Sequence, residues 1–221
     1  MCPMTSPQPI TDVLREIAAQ RRIPQATYRL QFNADFTFDQ ARQVVDYLDE
    51  LGISDCYASP LLKSCSGSSH GYDICDHRQL NPVMGGEEAF EGFCAALRQR
   101  GMGLVLDIVP NHMGIGEPSN VWWMDVLENG PGSIYADYFD IDWQPVKREL
   151  ENKVLLPILE DQYGKVLESG KLHLAYEDGA FFVYYYENKL PVAPHSYSRI
   201  LKARLDELIH QLREGDEHLQ E

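Results

Sequence analysis

The chain has 221 residues, 44% of them hydrophobic and 24% charged, enough for one large or two small domains with a buried core. Its 19 Lys and Arg against 34 Asp and Glu leave a net charge of −15. That excludes nucleic acid as a partner, because neutralising phosphates takes clustered cations, and it disfavours anionic lipid. A neutral ligand such as a sugar is compatible with it.

Residues 11–22 (TDVLREIAAQRR) predict a helix with Thr11 as N-cap and Val13, Leu14, Ile17 and Ala18 as its apolar stripe. ATYRLQF (26–32) alternates and predicts a strand. TFDQARQVVDYLDELG follows as a helix, with a Thr37/Gln40 capping box and an apolar face of Phe38, Ala41, Val44, Val45, Leu48 and Leu51 closed by Gly52. ISDCYAS (53–59) predicts a second strand, and Pro60–Gly85 a long polar loop. EEAFEGFCAALRQRG predicts a helix with Phe90, Phe93, Ala96 and Leu97 inward. GLVLDIV (103–109) predicts a third strand whose unbroken apolar run implies cover on both faces. Strands separated by helices imply a parallel sheet.

After His112 the rhythm changes. SNVWWMDVLENG predicts a short helix. VLLPIL, KLHLAYE and AFFVYYYE, separated by turn signals such as Asp178-Gly179, predict hairpin-like β structure. An amphipathic helix is expected over roughly 196–213, carrying Ile200, Leu201, Leu205, Leu208, Ile209 and Leu212. The acidic tail EGDEHLQE reads as a solvated face.

No run of about 20 apolar residues is present, so no membrane partner is expected. Met1–Ile10 has neither the basic nor the apolar region of a secretory signal, and five widely spaced Cys read as free thiols, so a cytoplasmic location is expected. Cys75 and Cys94 read as small buried hydrophobes. Cys65, His70, Cys75 and His77 lack the tight pairs of a structural zinc site, and no metal is expected there. The run Phe181, Phe182, Tyr184, Tyr185 and Tyr186 reads as core of the β segment rather than a sugar platform. Trp122 and Trp123 fit either reading.

Ligands of parallel α/β sheets meet the carboxyl ends of the strands. Three such ends are visible. The first carries Tyr28, Arg29, Gln31 and Phe32; the second carries Tyr57, Ser59 and Pro60, and runs into His70-Gly71-Tyr72-Asp73; the third carries Asp107, Pro110, Asn111 and His112. By itself Asp107 could simply cap a strand end, and Tyr72 could be an ordinary aromatic.

The context changes that weighting. DIVPNHM after an apolar strand resembles the first signature region of the α-amylase superfamily of (β/α)8-barrel glycoside hydrolases, and HGYD resembles that family's second-loop motif. More narrowly, ATYRLQF, LGIS, YASPLLKS, HGYD, LNP, GGEE and GLVLDIVPNHM, in this order, resemble the maltooligosyl trehalose synthase branch, the (1→4)-α-D-glucan 1-α-D-glucosylmutases. The likeness is dense over 24–115 and looser to about residue 200. It implies an α/β fold: the N-terminal part of a (β/α)8 TIM barrel, about three βα units, with a small β-rich insertion after the third strand. The expected division is 1–113 for the barrel units, 114–195 for the insertion and 196–221 for a returning helix with its tail. A complete barrel takes about 250 residues.

The resemblance also implies a maltooligosaccharide substrate and no cofactor. It makes Tyr72 a residue that stacks on a glucose ring and His112 one that hydrogen-bonds a sugar hydroxyl, with His70 in similar work. Asp73 holds polar groups near the site, and Asp107 orients its neighbours rather than attacking. Asn111 matches a position that binds calcium in many amylases; no metal is expected for it in this branch.

One departure matters for chemistry. Retaining glycosidases need two carboxyls about 5–5.5 Å apart, a nucleophile and a general acid/base. The family carries its nucleophile in a G-x-R-x-D motif after the fourth strand, its acid after the fifth and a third Asp after the seventh. No G-x-R-x-D follows the β-rich segment. No catalytic residue is therefore expected within this chain, and by itself it is expected to be inactive. Two other readings stand beside this one. The chain could be a non-catalytic glucan-binding or interaction module, or one half of a split enzyme that self-associates or joins a complementary C-terminal half.

Overall fold

The computed structural model describes residues 10–20, 22–116, 118–203, 205 and 209–210. The elements in chain order are α1 (Ile10–Gln20), β1 (Thr27–Leu30), α2 (Phe38–Glu50), β2 (Asp55–Ala58), β3 (Leu62–Ser64), β4 (Ile74–Leu80), α3 (Gly86–Gln99), β5 (Gly103–Leu106), α4 (Val121–Asn129), α5 (Tyr163–Glu168), β6 (His173–Glu177), β7 (Ala180–Tyr185), β8 (Asn188–Pro191) and α6 (Tyr197–Lys202). They fall into two compact units: residues 1–63, 67–72 and 78–110 in the first, and 64–66, 73–77 and 111–221 in the second.

In the first unit β1, β2 and β5 form a parallel sheet in the order β1-β2-β5. The βαβα order forces this arrangement, since each helix must carry the chain back to the start of the next strand. Leu30, Cys56 and Ala58 point to a core completed by Phe38, Ala41, Val45 and Leu48 of α2 and by Phe93 and Leu97 of α3. Phe32, fully buried, sits at its centre, with ring centroids 5.1 Å from Phe38, 5.7 Å from Phe93 and 5.8 Å from Phe36. The start of α2 follows the expected box: the Gln40 side chain accepts the Thr37 N–H at 2.7 Å. Cys56 is buried in this core, and burial, reinforced by the Asp55 charge, pushes its thiol up to about 11. Cys56, Cys65, Cys75 and Cys94 are free thiols; Cys75 is buried and Cys94 partly so. Cys2 lies outside the described residues.

The amino-terminal end of the sheet is closed by a polar lock. Arg22 places its Nε 3.1 Å from the Asp55 carboxylate, and its two Nη groups donate to the Gly101 and Ser54 carbonyls. Asp55 is buried, and a Cβ on Gly103 would run into its carboxylate, so the third strand has to open on glycine.

Five expectations need correction. Residues 60–85 are not a plain loop: β3 and β4 form a two-stranded sheet, bounded by Cys65 N–H to Asp73 O at 3.0 Å and Asn81 N–H to Leu61 O at 2.8 Å. The segment is polar by composition, but backbone pairing needs no apolar side chains. The apolar run 103–109 is not covered on both faces, since Leu106 at the end of β5 is 50% and Ile108 beyond it 68% exposed. Among the described residues β5 is an edge strand of its sheet, with a neighbour on one side only. Leu51 is exposed because it caps α2 and has turned off the buried stripe. The apolar stripe of α1 (Val13, Leu14, Ile17) is likewise exposed rather than packed. VLLPIL forms no strand: Pro157, mid-segment, can donate nothing to a ladder.

In the second unit, Asn120 caps α4 by accepting the Trp123 N–H at 3.0 Å. β6, β7 and β8 form an antiparallel meander. Asp178 and Gly179 take φ of 49° and 88° at the β6–β7 turn, the double left-handed geometry of a tight hairpin. Of the aromatic run, Tyr185 is buried, Phe181, Phe182 and Tyr184 are half-buried, and Tyr186, just past β7, is exposed, so only part of the run is core. Trp122 stacks on Tyr135 at 5.3 Å and Trp123 packs on Phe139 at 5.0 Å, which makes both structural. α6 opens the helix expected over 196–213, while Leu208, Leu212 and the acidic tail lie outside the described residues. No helix among the described residues is long and apolar enough to cross a membrane.

Candidate functional site

Register assembles the site. Arg29 of β1 lies opposite Tyr57 of β2, and Tyr57 opposite Val105 of β5. Alternate residues of a strand share a face, so Asp107, two beyond Val105, rises on the side of Arg29 and Tyr57. The ladder still holds at that point, with Asp107 N–H donating to Ala58 O at 3.0 Å. This is the face opposite the apolar core, at the carboxyl ends of the strands.

Asp107 Oδ2 is the hub. It accepts from Tyr57 Oη at 2.9 Å, from Arg29 Nη1 at 3.2 Å and from the Tyr72 hydroxyl. Arg29 Nη2 donates to Tyr72 Oη at 3.1 Å and to Gln31 Oε1 at 3.3 Å, and the guanidinium lies 4.8 Å above the Tyr57 ring. The Tyr72 hydrogen bond, followed by those from Tyr57 and Arg29, holds the Asp107 carboxyl below the usual Asp range despite partial burial. The Tyr57 phenol moves the other way: its hydrogen bond to Asp107, with some burial, raises its pKa. The hub is therefore a carboxylate held by a guanidinium and two tyrosine hydroxyls.

The loop that presents Tyr72 is shaped by its own sequence. Gly71 has φ of 78°, and a Cβ there would lie 2.9 Å from Pro60 O, so only glycine turns the chain at this point. His70 Nδ1 accepts the Tyr72 N–H at 3.0 Å, and the two rings stack at 6.1 Å. In the neutral imidazole the proton thus sits on Nε2. Gln31 Nε2 ties the loop down through the Ser69 and His70 carbonyls, each at 3.2 Å. With its hydroxyl engaged by Asp107 and Arg29, Tyr72 is still 36% exposed and has ring surface to offer.

Of the six expected site residues, Tyr72, His70 and Asp107 are brought together in the first unit. Asp73, Asn111 and His112 belong to the second. There, exposed His112 places Nδ1 3.1 Å from Asn111 Oδ1, and Asp73 is half-buried, with its carbonyl receiving the Cys65 N–H. Among the described residues no set of three or more His, Cys, Asp and Glu is placed to hold a metal ion.

Sequence reasoning did not single out Arg29 and Tyr57 as site residues. Both stood at strand ends, but their shared face with Asp107 depends on register between strands. The available signal was parity: each is an odd-numbered polar or aromatic residue beside an even-numbered core residue, Leu30 and Ala58.

The hub makes a testable prediction. Its carboxylate is favoured in the folded state, so its stabilisation is complete above the ordinary Asp range and drains away as pH falls through the lowered pKa. Asp107→Asn is expected to be less stable than the parent chain at about pH 7, with the gap narrowing below about pH 4. Urea denaturation across that range measures it; a gap independent of pH would exclude the carboxylate as its source.

Residues 41–193 match the family described as alpha amylase, catalytic domain. Over 140 residues the chain is 45% identical to a putative maltooligosyl trehalose synthase of Mycobacterium tuberculosis (strain H37Rv), covering 61% of this chain and 18% of that protein. It is 39% identical over 102 residues to an intracellular maltogenic amylase of Bacillus subtilis (strain 168), covering 46% of this chain and 16% of the amylase. Among solved structures, maltooligosyltrehalose synthase from Arthrobacter ramosus superposes with a TM-score of 0.68 at 45% identity, over 78% of this chain and 22% of that one. The chain thus spans about a fifth of the length of these synthases.

Proposed function

Because the chain belongs to the alpha-amylase catalytic-domain family, its parallel sheet being part of a (β/α) barrel, we propose that it supplies the substrate-holding strand ends of a maltooligosyl trehalose synthase-like enzyme. The reaction is isomerisation of the reducing-end α-1,4-glucosidic bond of a maltodextrin to α,α-1,1, in the cytoplasm. The observation that carries this reading is the Asp107 hub, which fixes Tyr72 at the carboxyl ends of parallel strands with its ring available to a sugar.

The roles follow from the chemistry of each group. Tyr72 stacks on the apolar face of a glucose ring. His70 and His112 hydrogen-bond sugar hydroxyls, and Asp73 and Asn111 hold polar groups. Asp107 acts as an orienter: its Oδ2 accepts from Arg29, Tyr57 and Tyr72 and so fixes all three side chains. Glucosyl transfer without hydrolysis requires water to be kept out between bond cleavage and re-attack. No cofactor is needed for such a transfer.

None of these residues is a nucleophile or a general acid. The 221-residue chain by itself is therefore expected to bind maltopentaose without converting it. Following reducing ends during prolonged incubation tests this, and sustained loss of reducing ends would overturn it. Tyr72→Ala is expected to weaken maltopentaose binding about tenfold in calorimetric titration. An unchanged affinity would remove Tyr72 from the site.

The apolar end of β5 favours a further element of the proposal. With Leu106 and Ile108 exposed on an edge strand, this surface suits a complementary C-terminal half, or a second copy of the chain.

A further inference from the structure

A cleft of about 660 Å³ opens in the second unit, within the range of small-ligand sites. Its lining includes Glu128 and Asn129 at the end of α4, Trp143, Lys153, Leu190 and His195. Two features set it apart from an accidental gap. The first is Trp143. Trp122 and Trp123 are consumed by aromatic packing, whereas Trp143 is half-buried and meets no other ring among the described residues. The second is a set of uncommitted polar groups. Among the described residues, the side chains of Glu128, Asn129 and His195 have no hydrogen bond or ion pair. All three line the same cleft as the indole.

The wall is held in place rather than loose. Asn152 N–H donates to Trp143 O at 3.0 Å, closing the loop between them. Asn152 takes φ of 58°, a left-handed geometry that asparagine tolerates. Lys153 Nζ donates to Glu149 O at 2.7 Å, which leaves part of its donor capacity for a ligand.

An indole that packs on no other ring, in a cleft with a carboxylate, an amide and an imidazole, is suited to a neutral ligand that has both an apolar face and many hydroxyls. A pyranose chain is such a ligand: its C–H face packs on the indole, and its hydroxyls donate to Glu128 and Asn129. Glu128 and the net charge of −15 work against anions. We propose that this cleft is a second glucan-binding site, holding a segment of the maltooligosaccharide. The sugar class rests on the function proposed above; the site rests on the cleft itself.

The test is carried out on the full 221-residue chain labelled with nitrogen-15 and titrated with maltopentaose. The indole N–H resonance of Trp143 is assigned by its loss in Trp143→Phe. It is expected to shift in the parent chain, with a midpoint that rises about tenfold in the double variant Glu128→Ala/Asn129→Ala. Retained Trp122 and Trp123 resonances confirm that each variant is folded. Tyr72→Ala is expected to leave the Trp143 midpoint unchanged. A stationary Trp143 resonance, with binding that Tyr72→Ala still weakens, overturns the cleft and leaves the function standing. A shift that Glu128→Ala/Asn129→Ala does not weaken also overturns the cleft. If Trp143 responds as expected while Tyr72→Ala changes no calorimetric affinity, the cleft holds and the role of Tyr72 fails. If no binding is detected by either readout, both fall.

Discussion

Phe32→Ala is expected to lower the unfolding free energy by about 3–5 kcal/mol, the range for truncating a fully buried aromatic. Phe32 is completely buried and its ring meets three others, Phe36, Phe38 and Phe93. These neighbours come from the loop after β1, from α2 and from α3, so the space left by the ring cannot close without moving both helices. For a chain of this size each kcal/mol lowers the melting temperature by about 2–4 °C, so the total loss is on the order of 10 °C. Phe32→Leu is expected to cost much less because it keeps most of the volume. Thermal and urea unfolding followed by circular dichroism measure both. A loss below about 1 kcal/mol for Phe32→Ala would mean that the aromatic cluster is not the centre of this core.

Arg22→Ala carries the second large effect. Asp55 is buried, and its side chain is only 4% exposed, against 44% for Arg22. Removing the guanidinium strands a carboxylate away from water and frees the Ser54 and Gly101 carbonyls. Breaking a buried pair from one side costs about 3–5 kcal/mol, and the exposure of Arg22 puts the expected loss near the lower end, about 3 kcal/mol. Ser54 Oγ donates to Asp55 as well and offsets part of it, at 2.5 Å. Arg22→Lys is expected to recover little, since one ammonium cannot serve a carboxylate and two separated carbonyls at once. Asp55→Asn removes the stranded charge, so it should soften the effect of Arg22→Ala in a double-mutant cycle. If the two losses simply add, the lock does not act as a unit.

The chemistry of the chain divides cleanly between its two sheet faces. Even-numbered positions such as Leu30, Cys56 and Ala58 supply the core, and odd-numbered Arg29, Tyr57 and Asp107 supply the hub. A parallel sheet with helices on one side leaves its other face free for polar work at the carboxyl ends. The lock at Arg22 and Asp55 occupies the opposite end of the same strands. The polar lock and the Asp107 hub are thus built at different ends of one sheet, and variants of one should leave the other largely intact.

Much of this was legible in the amino-acid order, because the signals involved are local. The α2 capping box, the apolar stripes of α2 and α3 and the Asp178-Gly179 turn depend on residues a few positions apart. The motif around Asp107 and the HGYD loop likewise carry their information in consecutive residues. Where local signals misled, tertiary context was the reason. The apolar run of β5 looked doubly covered, yet its carboxyl end is exposed; the polar stretch after Pro60 looked unstructured, yet its backbone pairs.

What the sequence determined by itself was the kind, order and polarity of the elements, and the few polar and aromatic residues that stand at the strand ends. What only the tertiary structure decided was which of those residues meet. Arg29, Tyr57 and Asp107 lie at widely separated positions, and period-two alternation says which side of its own strand each one takes but not which residue stands opposite. That choice is made by register, and register follows from the packing of α2 and α3 against the even-numbered face.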